Sequence, residues 1–404
     1  MAAELKALGR DRMTQAPYSH YFTLEPAMTP AWFHTDSARA LALRLLSWQT
    51  PAGGWSKHVD MRRRARAPGE SFYGESDEWH YIATFDNDAT TTELRIIGGV
   101  ANALSGPADA PGAESARGAE AARKPASESE PESEPGRSAA SEPGHPRPRP
   151  DSDSDSDSER ARLRAAFLRG LGYIFAAQCP NGCFPQVYPL QGGYHDAATF
   201  NDNATINVLR LLRDVARGQY GFVPASARRR ARAAFHRGLD CVLRSQVVVR
   251  GVRTVWGQQH DPLTLRPAPA RSYELAGLAG RESAWILDFL MELPEPSPRV
   301  VAAVHAGAAW FQAHALRDYA YGADQVLRPS PGAGPIWARN TDIATMRPMF
   351  ANRDGVKLFD WSRLTDRRAG YGWFGTEPRA TLATYRTWAL RYPRSPTHPT
   401  EEAP

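Results

Sequence analysis

Two stretches of the chain place apolar residues at helical spacing directly behind a polar cluster. Leu94, Ile97 and Val100 follow Asp86-Asn87-Asp88, and Leu209, Leu212 and Val215 follow Asn201-Asp202-Asn203. Residues three apart share a helix face, so each stretch predicts a helix with one buried stripe. The segments leading in are near copies: Thr84-Phe-Asp-Asn-Asp-Ala-Thr90 against Thr199-Phe-Asn-Asp-Asn-Ala-Thr205. A second element repeats as well. Gln49-Thr-Pro-Ala-Gly-Gly-Trp55 is echoed by Gln178-Cys-Pro-Asn-Gly-Cys-Phe184, and Gln246 begins a weaker third copy. The polar element has a degenerate third copy, in which Tyr273-Glu-Leu275 leads to the apolar run behind Glu282.

With residues 107–159 set aside, the Gln copies recur at roughly 70 to 80 residues, room for two helices and two loops. The repeating unit is therefore a helical hairpin, and three such units hide their apolar faces only by packing around a shared axis. Asp/Asn-rich loops precede one helix of each hairpin, so they gather at one mouth of the assembly.

Composition separates one segment from this pattern. Residues 107–159 are Ala, Ser, Glu, Pro, Gly and Arg, ending in an Asp-Ser run, with almost no large apolar side chain to offset ordering entropy. They are expected to be a disordered insertion within one catalytic domain spanning 31–390. Residues 1–30 are then an N-terminal extension and 391–404 a disordered tail. Net charge is +5, which favours polyanionic partners. Lys and Arg form no long stripe, so nucleic acid is not expected. No apolar run reaches membrane-spanning length, and residues 1–23 contain no apolar core of a signal peptide. The three cysteines, Cys179, Cys183 and Cys241, lack zinc-site spacing. A small disulfide or free buried thiols both remain open.

The chemistry-bearing candidates are oxygen donors and cations. Short Asp and Asn side chains before a helix often cap its N–H groups. Three polar residues in each of two copies exceed what capping needs, and an oxygen-only cluster suits Ca²⁺. The loop from Val255 to Glu274 is too Pro-rich for a helix and unusually polar. A third polar stretch holds Arg339 and the turn Arg353-Asp354-Gly355.

Taken together, these residues resemble the family 10 polysaccharide lyases, the pectate lyases. The resemblance runs through Gly53–Lys57, Thr84–Arg95, Ala177–Gln186, Gly192–Ala204, Gln259–Leu265 with Pro267–Arg271, and Asn352–Gly355. It implies an (α/α)3 toroid and calcium-dependent β-elimination on polygalacturonate, with Ca²⁺ as cofactor. Carried over by position, Arg353 corresponds to the base that takes the C5 proton. Arg339 and Arg271 correspond to residues that bind uronate carboxylates. Asp86 and Asp202 correspond to the acids that organise calcium, with Asn87 beside them. Lys57, His260, Asp261 and Tyr273 lie on matching motifs and are expected at the substrate. The resemblance also implies a secreted protein, and a monomer is expected. The chain departs from the family pattern in Asp88, where glycine is usual, and in Cys183-Phe184, where Gly-Trp is usual. Three rivals stand beside the lyase reading: a glycoside hydrolase using Asp86 and Asp202, a cyclase-like toroid suggested by the Gln/Trp repeat, and a non-catalytic acidic-glycan binder.

Overall fold

A computed structural model describes residues 1–19, 28–74, 82–105 and 152–394. Most of the expected insertion and the tail beyond residue 394 lie outside the described residues. The long helices are α2 (Asp36–Trp48), α3 (Thr91–Ala103), α4 (Ser152–Ala177), α5 (Ala204–Ala216), α6 (Ala225–Arg244), α7 (Gly280–Met291), α8 (Pro298–Ala313) and α9 (Glu377–Arg391), after a short α1 (Ala2–Ala7). They form the (α/α)3 toroid. Helices α3, α5 and α7 are the inner set and touch in series, while α2, α4, α6, α8 and α9 pack outside them. Burial follows this split. The inner helices hide most of their residues, whereas α6 hides little beyond Ala231, Ala234, Gly238 and Cys241–Leu243. Each inner helix opens at the same mouth, behind a polar or irregular loop.

The repeated glutamines explain how consecutive hairpins are tied. Gln49 Nε2 donates to Gly53 O in its own loop and to Ala166 O of α4. Gln178 does the same with Gly182 O and Ala234 O of α6. Gln246 does it with Thr254 O and Ala303 O of α8. In the first two copies an arginine one turn further along, Arg169 or Arg237, donates to the glutamine Oε1 at 2.5 Å. Helix α8 has Ala306 there, and Gln246 Oε1 has no partner among the described residues. The weak third copy is thus a real structural repeat with one member missing.

Two-residue antiparallel pairs stitch the loops together. Ala83–Thr84 pairs with Val187–Tyr188, Ala198–Thr199 with Gln259–His260, and Leu278–Ala279 with Asn340–Thr341. Each joins the lead-in of one inner helix to the loop of the next repeat.

One expectation shifts. Helix α4 begins at Ser152, inside the segment expected to be disordered up to Glu159. Acidic residues at a helix N-terminus complement its dipole, and Arg39 donates to Glu159 at 2.7 Å. The N-terminal extension is docked: Glu4 of α1 pairs with Arg66 and accepts from Gly69 N. Cys183 and Cys241 form a disulfide, leaving Cys179 free. No helix among the described residues is long and apolar enough to cross a membrane.

Candidate active site

The two polar turns have one backbone. Asn87 and Asp202 are left-handed at φ 50° and 45°, and Asp88 and Asn203 follow at 62° and 63°. Such φ values are uncommon outside glycine, and Asn and Asp tolerate them best. Neither α3 nor α5 has a side-chain N-cap bond, so the capping reading of these residues does not hold. Thr84 supports the first turn by accepting from Asp86 N. The acids are left over for something else.

Asp86 is buried, and Lys57 Nζ donates to its Oδ2 and lies 3.4 Å from Asn87 Oδ1. Burial works to raise the Asp86 pKa, but the Lys57 cation and hydrogen bond outweigh it and hold the carboxyl below its ordinary value. Asp202 accepts from Asn201 Nδ2 at 2.9 Å. Its pKa is pushed up to about 7, by burial first and then by the Asp86 and Glu282 carboxylates. Asp86 Oδ1, Asn201 Oδ1, Asn203 Oδ1 and Glu282 Oε2 are buried without a hydrogen-bond partner among the described residues. Orphaned buried oxygens of this kind are rare. All four are oxygens, the donor type that hard cations take. Among the described residues no three acids, histidines or cysteines form a ready-made metal cluster.

Backbone bonding places Gln186, Gln258 and Arg339 at one repeat position. Their carbonyls accept from Phe85 N, Phe200 N and Gly280 N respectively. The third repeat therefore offers a cation where the first two offer amides. Arg339 is buried, donates to Glu282 Oε1 and Tyr371 O, and lies 4.4 Å from the Tyr371 ring centroid. Burial works against its charge, yet Tyr371, Glu282 and Asp202 together raise its pKa. The polar turn is also shorter in this repeat. Ser283 bonds Trp256 as Thr90 bonds Trp55, and Ala279 N reaches Trp256 O as Thr84 N reaches Trp55 O. Two fewer residues lie between those anchors, so the acidic turn is absent. The acidic turns thus come from repeats one and two and the arginines from repeat three onward, where Glu282 and Glu274 pair with them, giving the mouth two electrostatic sides.

Arg271 makes a bidentate pair with Glu274 at 2.6 and 2.7 Å and lies 5.0 Å from the Tyr273 ring. Burial opposes its charge, but Glu274 raises its pKa. Burial raises the Tyr194 phenol, and Arg271, Glu274, Lys57 and Asp86 all act on it. Tyr194 therefore lies in electrostatic reach of both sides. The Arg353 turn packs near Ser272 O, next to Arg271. The Arg353 guanidinium is exposed and has no ion pair among the described residues.

Three residues expected at the substrate make contacts within the scaffold. His260 is fully buried, its Nδ1 2.8 Å from Leu265 O while its Nε2 accepts from Gly257 N. Burial lowers its pKa to about 4, so it stays a neutral structural ring. Asp261 organises its own turn, accepting from Leu263 N, Thr264 N and the Thr264 hydroxyl. Tyr273 is buried edge-on against Tyr371 and supports Arg271 and Arg367. Asp88 accepts from Asn207 of α5, so the extra acid links two repeats.

Sequence reading missed Glu282, Gln258 and Tyr371. It also missed a further repeat, Asp261-Pro-Leu-Thr-Leu-Arg-Pro267 against Asp342-Ile-Ala-Thr-Met-Arg-Pro348. Both fold as the same turn, with left-handed Leu265 and Met346.

A family profile described as pectic acid lyase matches residues 154–382. Among solved structures, the family 10 polysaccharide lyase from Cellvibrio cellulosa is 26% identical with a TM-score of 0.65, covering 92% of this chain and 99% of that one. A mutant of a family 10 polysaccharide lyase from Cellvibrio cellulosa, in complex with trigalacturonic acid, is 27% identical with a TM-score of 0.66, covering 90% and 96%. No curated protein sequence gives a match.

Proposed function

Because the chain belongs to the pectic acid lyase family, we propose that it cleaves α-1,4-polygalacturonate by calcium-dependent anti β-elimination, leaving a 4,5-unsaturated uronide at the new end. The observation that carries this reading is the two-sided mouth: buried, unpartnered acid and amide oxygens face arginines that are held charged. Trigalacturonate bound to a structural relative supports the same substrate class.

The C5 hydrogen of a uronate is poorly acidic because its removal builds charge on the neighbouring carboxylate. Fixed cations offset that charge without reorganising. Arg339 and Arg271 are poised for this, each already oriented by an acid and an aromatic ring. Asp86 and Asp202, with Asn87, would hold Ca²⁺, and their oxygen-only character fits it. When bound, the ion neutralises the substrate carboxylate and draws electron density from C5. Lys57 keeps Asp86 ionised and ready to coordinate.

Arg353 is assigned as the base that receives the C5 proton. It is the one of the three arginines whose guanidinium no acid stabilises among the described residues, and its exposure is the observation against it. A second reading gives the role to Arg271, because Tyr194 senses Arg271 together with Lys57 and Asp86. The opposed pKa shifts of Asp86 and Asp202 would also suit a hydrolytic acid/base pair, but membership of a lyase family decides against it.

Residues 31–390 are assigned as the catalytic domain. Export fits the Cys183–Cys241 disulfide, since such bonds persist in oxidising compartments. The test is one assay on polygalacturonate with calcium or EDTA. Ultraviolet absorbance from unsaturated uronides should rise only with calcium, and saturated ends without that absorbance would overturn the proposal.

A further inference from the structure

Arg271 and Arg339 are held by separate acids, Glu274 and Glu282. Two guanidiniums aimed at one substrate repel each other, so something must fix their separation. One side chain touches both halves of the arrangement. The Tyr371 ring lies 4.4 Å from Arg339 Cζ and 5.9 Å from Arg271 Cζ, and its carbonyl accepts from Arg339 Nη1. Its hydroxyl lies 3.4 Å from the side-chain amide of Gln258, whose Nε2 donates to Glu282. The same hydroxyl helps keep Glu274 ionised. A side-chain path therefore runs Tyr371–Gln258–Glu282–Arg339, while the Tyr371 ring reaches Arg271 directly.

The backbone around this side chain is unusual. Gly370 and Gly372 are both left-handed, at φ 79° and 67°, a conformation that side chains rarely adopt. The Gly-Tyr-Gly sequence turns the chain sharply on either side of the ring. Tyr273 and Trp373 then brace it edge-on at 5.1 and 4.6 Å. The negative face of an aromatic ring attracts guanidinium groups while keeping them at ring-contact distance.

We propose that Tyr371 is a positioning residue that couples Arg271 to Arg339 and sets their spacing for the transition state. This rests on the lyase reading. Tyr371→Phe keeps the ring and removes the hydroxyl path. Its kcat on polygalacturonate should fall about tenfold, with KM and trigalacturonate Kd within about twofold and thermal stability unchanged. Tyr371→Leu removes the ring, and its trigalacturonate Kd should rise at least about tenfold. A double-mutant cycle of Tyr371→Phe with Gln258→Leu should be strongly non-additive in kcat. An unchanged kcat in Tyr371→Phe, or activity lost only in proportion to unfolded protein, overturns the proposal. If wild-type protein makes no unsaturated product, the lyase reading fails, and trigalacturonate affinity still decides on Tyr371: an unaltered Kd in Tyr371→Leu rejects it.

Discussion

Asn87 and Asp202 occupy one position in two copies of a left-handed turn, so the acid moves one residue along between repeats. That shift lets Asp86 and Asp202 approach the mouth from different places on a common scaffold. It also leaves Asp202 poorly compensated, with burial and two other carboxylates acting against its charge.

A bound cation would relieve that strain, and Asp202 should be the residue that reports it. Millimolar calcium should raise the melting temperature of wild-type protein. In Asp202→Ala the rise should shrink or vanish, and the calcium needed for half-maximal activity should increase at least about tenfold. Differential scanning calorimetry with and without EDTA makes the comparison. An equal calcium response in both proteins contradicts the assignment.

The two candidate bases separate by what each loses. Arg353→Ala should abolish formation of unsaturated product, by at least about a hundredfold in kcat, while oligogalacturonate still binds. Arg271→Ala should weaken binding, because its guanidinium is held as a fixed cation by Glu274. Titration calorimetry beside initial rates reads both. If Arg353→Ala turns over normally and Arg271→Ala binds but does not react, the base is Arg271.

Glu93 carries a pH effect outside the chemistry. It is buried on α3, and burial pushes its pKa up to about 8 from an ordinary 4.5. Below pH 4.5 both folded and unfolded forms are protonated, and nothing changes. Between 4.5 and 8 the unfolded chain ionises first, so stability falls by up to about 1.4 kcal/mol per pH unit. Above 8 both forms are ionised and the loss levels off. Glu93→Gln should therefore match wild type at pH 4 and exceed it at pH 8, measured by urea denaturation. A gain of equal size at both pH values would place its origin elsewhere.

The glutamine ties allow a purely structural comparison. Gln49→Ala removes the donor to two carbonyls of buried residues and releases the exposed Arg169 from its bond, and should destabilise by about 2–4 kcal/mol. Gln246→Ala strands two carbonyls but no arginine, and should be milder. Urea midpoints at constant m-value test the order.

The sequence exposed whatever repeats by identity. Matching Asp/Asn turns and Gln-x-x-x-Gly segments marked the hairpins, the mouth and the acids. It concealed what repeats by backbone bonding alone. Gln186 and Gln258 are alike but Arg339 is not, so the equivalence of all three appears only when their carbonyls are seen taking the same N–H. Tyr371 stands where the first repeat has Gly193, since Arg339 N bonds Trp373 O as Gln186 N bonds His195 O. Its signal was a single aromatic between two glycines, which composition does not distinguish from a surface turn. His260 and Asp261 show bonding that their sequence motif did not reveal. His260 is buried with both ring nitrogens engaged, and Asp261 uses one carboxylate oxygen to hold its own turn.

Helix α3 opens behind the acidic turn and runs 13 residues before ending at Ala103. At 1.5 Å per residue its far end is about 20 Å from where it began. The chain leaves α3 at that end, away from the acidic turn, and α4 begins only at Ser152. A ring built this way has a working face and a permissive one. Evolution can lengthen the permissive face, or an engineer can graft a domain onto it, without asking the catalytic loops to rearrange.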